Sequence, residues 1–138
     1  MRDIEKTIGN LIDKTKTSII SSVDSDGYPN TKAMLKVRER ESLQYFYFST
    51  NTSSMRVKQF QKNSKSCLYF YDSKSFKGVM LKGHIEVLQD AKSKKRIWRI
   101  GDRIYYHKGV TDPDYSVLKF TSISGRYYSN FKSTNFDI

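Results

Sequence analysis

Cysteine is nearly missing from this chain of 138 residues: Cys67 stands alone. One thiol excludes an internal disulfide and any cysteine-rich metal site, and it suits a cytosolic setting. Long apolar runs are missing too. Nothing near the N-terminus reads as a signal peptide, and no stretch is long enough to span a bilayer. Acids are scarce, 14 against 25 Lys and Arg, for a net charge of +11. That balance admits nucleic acid, an anionic cofactor or an acidic surface as partner. The cations are scattered, however, and the densest run, KSKKR at 92–96, reads as the solvated face of a surface helix. The sequence also lacks a nucleophile triad, paired catalytic carboxylates, a Gly-rich dinucleotide loop, an internal repeat and a second domain.

What is plentiful is aromatic. The hydrophobic fraction is 37%, but 10 Tyr and 8 Phe compensate, because each ring buries a large area. Such residues favour strands. Residues 3–16 place Ile4, Ile8, Leu11 and Ile12 at helical spacing. Two apolar runs, 17–23 and 28–37, flank the turn DSDG, a hairpin signal. In the second run Ala33, Leu35 and Val37 form the core-like face, with Lys32, Met34 and Lys36 on the other. RERES (38–42) reads as a charged turn. VMLKGHIEVL (79–88) is a long strand whose Gly83 marks a bulge or close backbone approach. His84 reads as a surface residue, with no partner at metal spacing, and no metal centre is expected. A helix from Ala91 to about Arg99 carries Trp98 as a packing anchor. YSVLKFTSI (115–123) and GRYYSNF (125–131) read as a last hairpin, and KSTNFDI as a tail. Strands joined mainly by hairpins argue for one domain over 1–138, mainly β with flanking helices: a six-stranded antiparallel barrel, closed or nearly so.

The richest stretch is 43–72. An aromatic strand runs from Leu43 to Phe48, the loop STNTSS follows, and a helix covers about Ser53 to Asn63. A second aromatic run holds Cys67, read as a small buried hydrophobe alternating with Tyr69 and Tyr71. A helix start carries free N–H groups and partial positive charge. Hydroxyls with Arg56 in the first turn therefore make a phosphate cradle plausible on chemistry. The plain alternative is that Thr52, Ser53 or Ser54 caps the helix while Arg56, Lys32 and Lys36 lie in solvent.

Several pieces then resemble one family. They are Asp26-Gly27-x-Pro29, TKAM at 31–34, YFST-x-x-SS-x-RV at 47–57, LKGHIEVLQD at 81–90, Trp98, and YYHKGVTDPDYSVLKF at 105–120. In order and spacing they resemble the pyridoxamine 5′-phosphate oxidase-like flavoproteins of the FMN-binding split β-barrel fold, above all the short general stress protein 26 type. The resemblance implies an FMN-binding homodimer with a flavin at each subunit interface site, acting as an oxidoreductase on an unassigned substrate. It implies that Lys32, Ser53, Ser54 and Arg56 hold the phosphate, with Lys58 as a further contact. Ala33, Met34, Ser49 and Thr50 lie against the ring. Lys77 and Gly78, and the loop at Tyr106 and Lys108, approach the flavin from the partner subunit. True pyridoxamine phosphate oxidases add a C-terminal basic and histidine motif; this chain ends SGRYYSNFKSTNFDI, so vitamin oxidase activity is not implied. Met55 stands where those enzymes have a basic residue. Relatives of the barrel also bind deazaflavin or haem, and the charge leaves an anion- or nucleic-acid-binding barrel as the non-enzymatic alternative.

Overall fold

The computed structural model describes residues 2–138. Helix α1 (Arg2–Lys14) precedes β1 (Ser18–Val23), β2 (Pro29–Met34), β3 (Glu39–Glu41) and β4 (Tyr45–Asn51). Then come α2 (Met55–Lys62), β5 (Lys65–Asp72), β6 (Lys77–Leu88) and α3 (Ala91–Ile97). Two short 3-10 turns, Asp102–Ile104 and Gly109–Thr111, lead to β7 (Tyr115–Ser129) and β8 (Lys132–Asp137). All the ladders are antiparallel, in the order β2-β1-β5-β6-β7-β4-β3, with β8 added on β7. The sheet has eight strands rather than six, and it is not closed: β2 and β3 are its two ends. This is the split-barrel arrangement of a mainly β chain with flanking helices. Among the described residues, no helix is long and apolar enough to cross a membrane.

Alternation along the strands builds two apolar clusters. Phe46 and Phe48 of β4, Leu68 and Phe70 of β5, Val79 and Leu81 of β6, and Leu118 and Phe120 of β7 fill the main core, with Ile8 and Ile12 of α1 added. The other face of β4 and β7 gives Tyr47, Tyr115 and Val117 to a second cluster with Ile97 and Tyr106. Trp98 follows α3 directly and stacks at a tilt on Tyr115, centroids 5.2 Å apart.

Four sequence expectations are corrected. The core-like face of β2 is the opposite one: Met34 is 7% exposed and belongs to the main core, whereas Leu35 is 52% exposed. The charged turn at 38–42 contains β3, because Glu39, Arg40 and Glu41 pair with β4 while their side chains find opposite charges outside it, Asp13 for Arg40 and Arg96 for the two glutamates. Residues 115–129 are one strand, and the tail is β8, with Phe136 in the core. Cys67 is half-buried on the outer sheet face with Tyr69 and Tyr71. Gly83 does mark a bulge, where a Cβ would collide with the Thr121 carbonyl.

Candidate functional site

The loop between β4 and α2 is held by the segment before β7. Thr52 N–H donates to the Asp114 carbonyl at 2.7 Å, and Thr52 Oγ1 to the Pro113 carbonyl at 2.9 Å. The Asp114 carboxylate accepts from Ser53 N–H at 2.8 Å and from the Asn51 amide at 2.8 Å. These bonds, Asn51 foremost, hold the Asp114 carboxyl below its ordinary pKa, so it stays charged near neutrality. Ser54 is the N-cap of α2, its Oγ accepting from Val57 N–H at 3.4 Å, a long bond. The capping reading of this loop is therefore correct for Ser54. It leaves Arg56 unexplained.

Arg56 is half-buried, and its Nε is buried with no hydrogen-bond partner. One terminal nitrogen donates to Thr50 Oγ1 at 3.3 Å. Among the described residues no carboxylate lies within ion-pair reach of it, whereas Arg38 and Arg40 each have one and Arg96 has two. Burial lowers its pKa from the ordinary guanidinium value, against a smaller opposing effect of nearby Tyr106, yet a guanidinium remains charged. A desolvated cation with an idle donor is costly unless an anion completes it.

Strand β2 faces the same helix. Asn30, Lys32 and Met34 alternate onto one side of it. Asn30 Oδ1 accepts from Gln59 Nε2 at 3.1 Å, and Ser22 Oγ donates to Gln59 Oε1. Gln59 lies one turn beyond Arg56 on α2. The face of β2 that meets α2 is thus the one that carries Lys32, which is exposed. Asn30, Gln59 and Asp114 were missed in the sequence; the three-residue step from Arg56 to Gln59 was the available signal.

Tyr106 closes the far side. It is buried, its ring lies 4.7 Å from that of Tyr115, and its hydroxyl lies near Ser49 of β4. Burial raises its pKa, so the hydroxyl stays protonated near neutrality. Ser49 and Thr50 occupy opposite faces of β4, so Tyr106 and Arg56 approach that strand end from two sides. Within one chain Tyr106 belongs to its own core, beside its own Ser49.

Other named residues are not brought to this place. Lys58 is exposed two residues past Arg56 and lines a groove with Asp24, Ser25 and Lys62. Lys108 is exposed, its N–H given to Asp112. Lys77 and Gly78 begin β6, whereas the contact with Ser64, just past α2, is made at Ile85, roughly 25 Å along the strand. Ala33 is exposed on the outer side of β2, and Met34 is in the core.

The sequence profile of the family described as pyridoxamine 5′-phosphate oxidase matches residues 4–129. The chain belongs to that family. A solved structure of a protein related to general stress protein 26 of Bacillus subtilis, from Clostridium acetobutylicum and described as of the pyridoxinephosphate oxidase family, is 40% identical. The similarity covers 100% of this chain and 96% of that one, with a TM-score of 0.92. General stress protein 26 from Bacillus anthracis shares the fold at 16% identity, TM-score 0.78, over 96% of this chain and 98% of that one. So does a putative pyridoxamine 5′-phosphate oxidase from Listeria innocua, at 19% and 0.75, over 90% and 97%. No curated protein matches this chain. In this family member, then, the unpaired guanidinium lies inside the matched region.

Proposed function

We propose that this member of the pyridoxamine 5′-phosphate oxidase family binds FMN and works as a flavin-dependent oxidoreductase. The observation that carries the reading is Arg56: a half-buried guanidinium at the start of α2, with an idle Nε and no carboxylate partner among the described residues. A phosphate monoester brings about two negative charges and several acceptor oxygens. Arg56 would hold it by charge-assisted bonds, Lys32 from the facing strand would add a second cation, and the Ser53 and Ser54 hydroxyls would donate. Of the N–H groups near the helix start, Ser53 N–H is given to Asp114 and Val57 N–H to the Ser54 cap. When bound, the flavin supplies hydride or electron transfer, while the chain supplies position and electrostatics.

The family and the placement of Lys77 and Gly78 support a homodimer in which a second copy completes the ring's surroundings. A cytoplasmic location goes with this reading, since an unpaired thiol is kept reduced there.

Fluorescence titration tests it. FMN is expected to bind more tightly than riboflavin, which lacks the phosphate. Arg56→Ala is expected to weaken FMN more than tenfold, roughly 1.4 kcal/mol, and to leave riboflavin unchanged. Equal affinities for FMN and riboflavin in the unaltered protein would remove the phosphate role.

A further inference from the structure

Beside the second apolar cluster lies a buried charge that the flavin reading does not use. Lys94 of α3 is 7% exposed. A lysine ordinarily buries its stem and keeps its ammonium in water. Here Lys94 Nζ donates to the Asp112 carbonyl at 2.8 Å and lies 5.3 Å from the centre of the Tyr115 ring. An ammonium has three donors, and the others find no acceptor among the described residues. No carboxylate there lies within ion-pair distance of it. The acids nearest in the chain are engaged elsewhere. Asp90 accepts from the N–H and the hydroxyl of Ser93, both at 3.0 Å. The Asp112 carboxylate accepts from Lys108 N–H at 3.0 Å and Asp114 N–H at 2.9 Å. A buried cation in this state is costly unless an anion completes it.

A groove of about 210 Å³ runs beside Lys94, between α3 and the 3-10 turn Gly109–Thr111. Lys94, Lys95, Gln89 and Thr111 give its polar walls, and Ala91 and Val110 its apolar ones. The walls are fixed from behind. The Tyr115 hydroxyl donates to the Lys94 carbonyl at 2.7 Å, and Gln89 Nε2 donates to Ser116 Oγ at 3.2 Å. None of the residues named for the flavin lines this groove. Gln89 follows the last residue of β6, at the opposite end of that strand from Lys77 and Gly78.

We propose that this groove binds a small monocarboxylate with a short alkyl chain. The carboxylate pairs with the Lys94 ammonium, one negative charge for the one buried cation. The alkyl chain lies against Ala91 and Val110. A cavity of about 150 Å³ accepts one benzene ring, so a chain of about four carbons has room here. The site stands independently of the flavin reading.

Calorimetric titration of the full chain, without added flavin, tests it with three probes: butyrate, butyramide and inorganic phosphate. Butyrate is expected to saturate one site per chain, at least tenfold tighter than the uncharged amide and at least fivefold tighter than phosphate. Lys94→Met is expected to weaken butyrate at least tenfold and leave butyramide unchanged. Ala91→Phe, at an exposed position of α3, is expected to fill the groove and abolish butyrate binding at an unchanged urea midpoint, and it tests the site even where Lys94→Met does not fold. Absence of saturable butyrate binding overturns the proposal, as does butyrate affinity indifferent to Ala91→Phe. Tighter binding of phosphate than of butyrate overturns the ligand class. Displacement of butyrate by FMN overturns the site's independence and gives the groove to the flavin. The FMN and Arg56 titrations are read separately, so either reading can fail alone.

Discussion

Arg38 and Asp102 show what a satisfied cation looks like in this chain. Asp102 is 3% exposed and takes both guanidinium nitrogens of Arg38, at 2.9 and 2.6 Å, with Arg99 N–H at 2.8 Å. Its main-chain carbonyl accepts from the N–H groups of Tyr105 and Tyr106, so the pair also fixes the turn that carries Tyr106 to Ser49. Burial, the largest single effect, would raise the Asp102 pKa; the Arg38 bond, the Arg99 N–H and the charges of both arginines together outweigh it, and the net direction is down. A carboxyl lowered in the folded state stabilises fully above its unfolded value, near 3.8, and the effect fades as pH falls through the lower folded value. Asp102→Asn should therefore cost about 3 kcal/mol at pH 7 in urea denaturation. The difference from the unaltered protein should shrink below about pH 4 as its own Asp102 gains a proton. A constant difference down to pH 2 would show that packing, not charge, holds this turn. The sequence lists Arg38 and Arg56 as equals. Only the fold separates the neutralised cation from the idle one, because the partner of Arg38 lies 64 residues away.

At the scale of elements, β8 is the sharpest departure from what the sequence suggested, and its energetics can be measured. Phe136 is 8% exposed in the main core, so Phe136→Ala should lower stability by about 3 kcal/mol, read as an earlier urea midpoint at unchanged slope. A free tail would give no change. The strand was hidden by two local signals. Ser124-Gly125 looks like a turn, but Gly125 is there because Phe136 and the Met80 carbonyl leave no room for a Cβ. The real turn is Asn130-Phe131, with φ of 51° and 63°, a two-residue hairpin in which phenylalanine replaces the usual glycine. The inverted face of β2 has a related cause. Leu35 lies beyond the strand and exposed, while the flexible Met34 fills the core, so a pattern count favoured the wrong side. By contrast α1, the first hairpin, α2 and the bulge at Gly83 were legible, since periodicity, an Asp-Gly turn, a hydroxyl cap and an isolated glycine each have one dominant physical meaning. The candidate site was half legible for the same reason. Ser54 and Arg56 announce a helix start, but the grip of Asp114 on Ser53 and Asn51 depends on a contact 61 residues away and has no local mark.

For the whole molecule, charge and exposed apolar surface pull in opposite directions. Each chain carries +11, so two copies repel one another at low salt. A single chain nevertheless leaves Leu35, Ile100 and Ile104 in water, apolar side chains that a second copy would cover. The proposed ligand changes this balance. Each bound FMN adds about two negative charges, and at a site completed by two copies its binding is linked to their association. Light scattering in low salt should therefore show the dimer forming at a lower protein concentration with FMN than without it. Riboflavin, uncharged at the same position, should have a smaller effect. Raising ionic strength to about 0.5 M should promote association without flavin, because screening then removes the repulsion that the phosphate otherwise offsets. If FMN binds but leaves the dissociation constant of the dimer unchanged at every salt concentration, the flavin lies wholly within one chain. Lys77 and Gly78 then have no part in its site, since within a chain they begin β6 while the helix that carries Arg56 ends beside the other half of that strand.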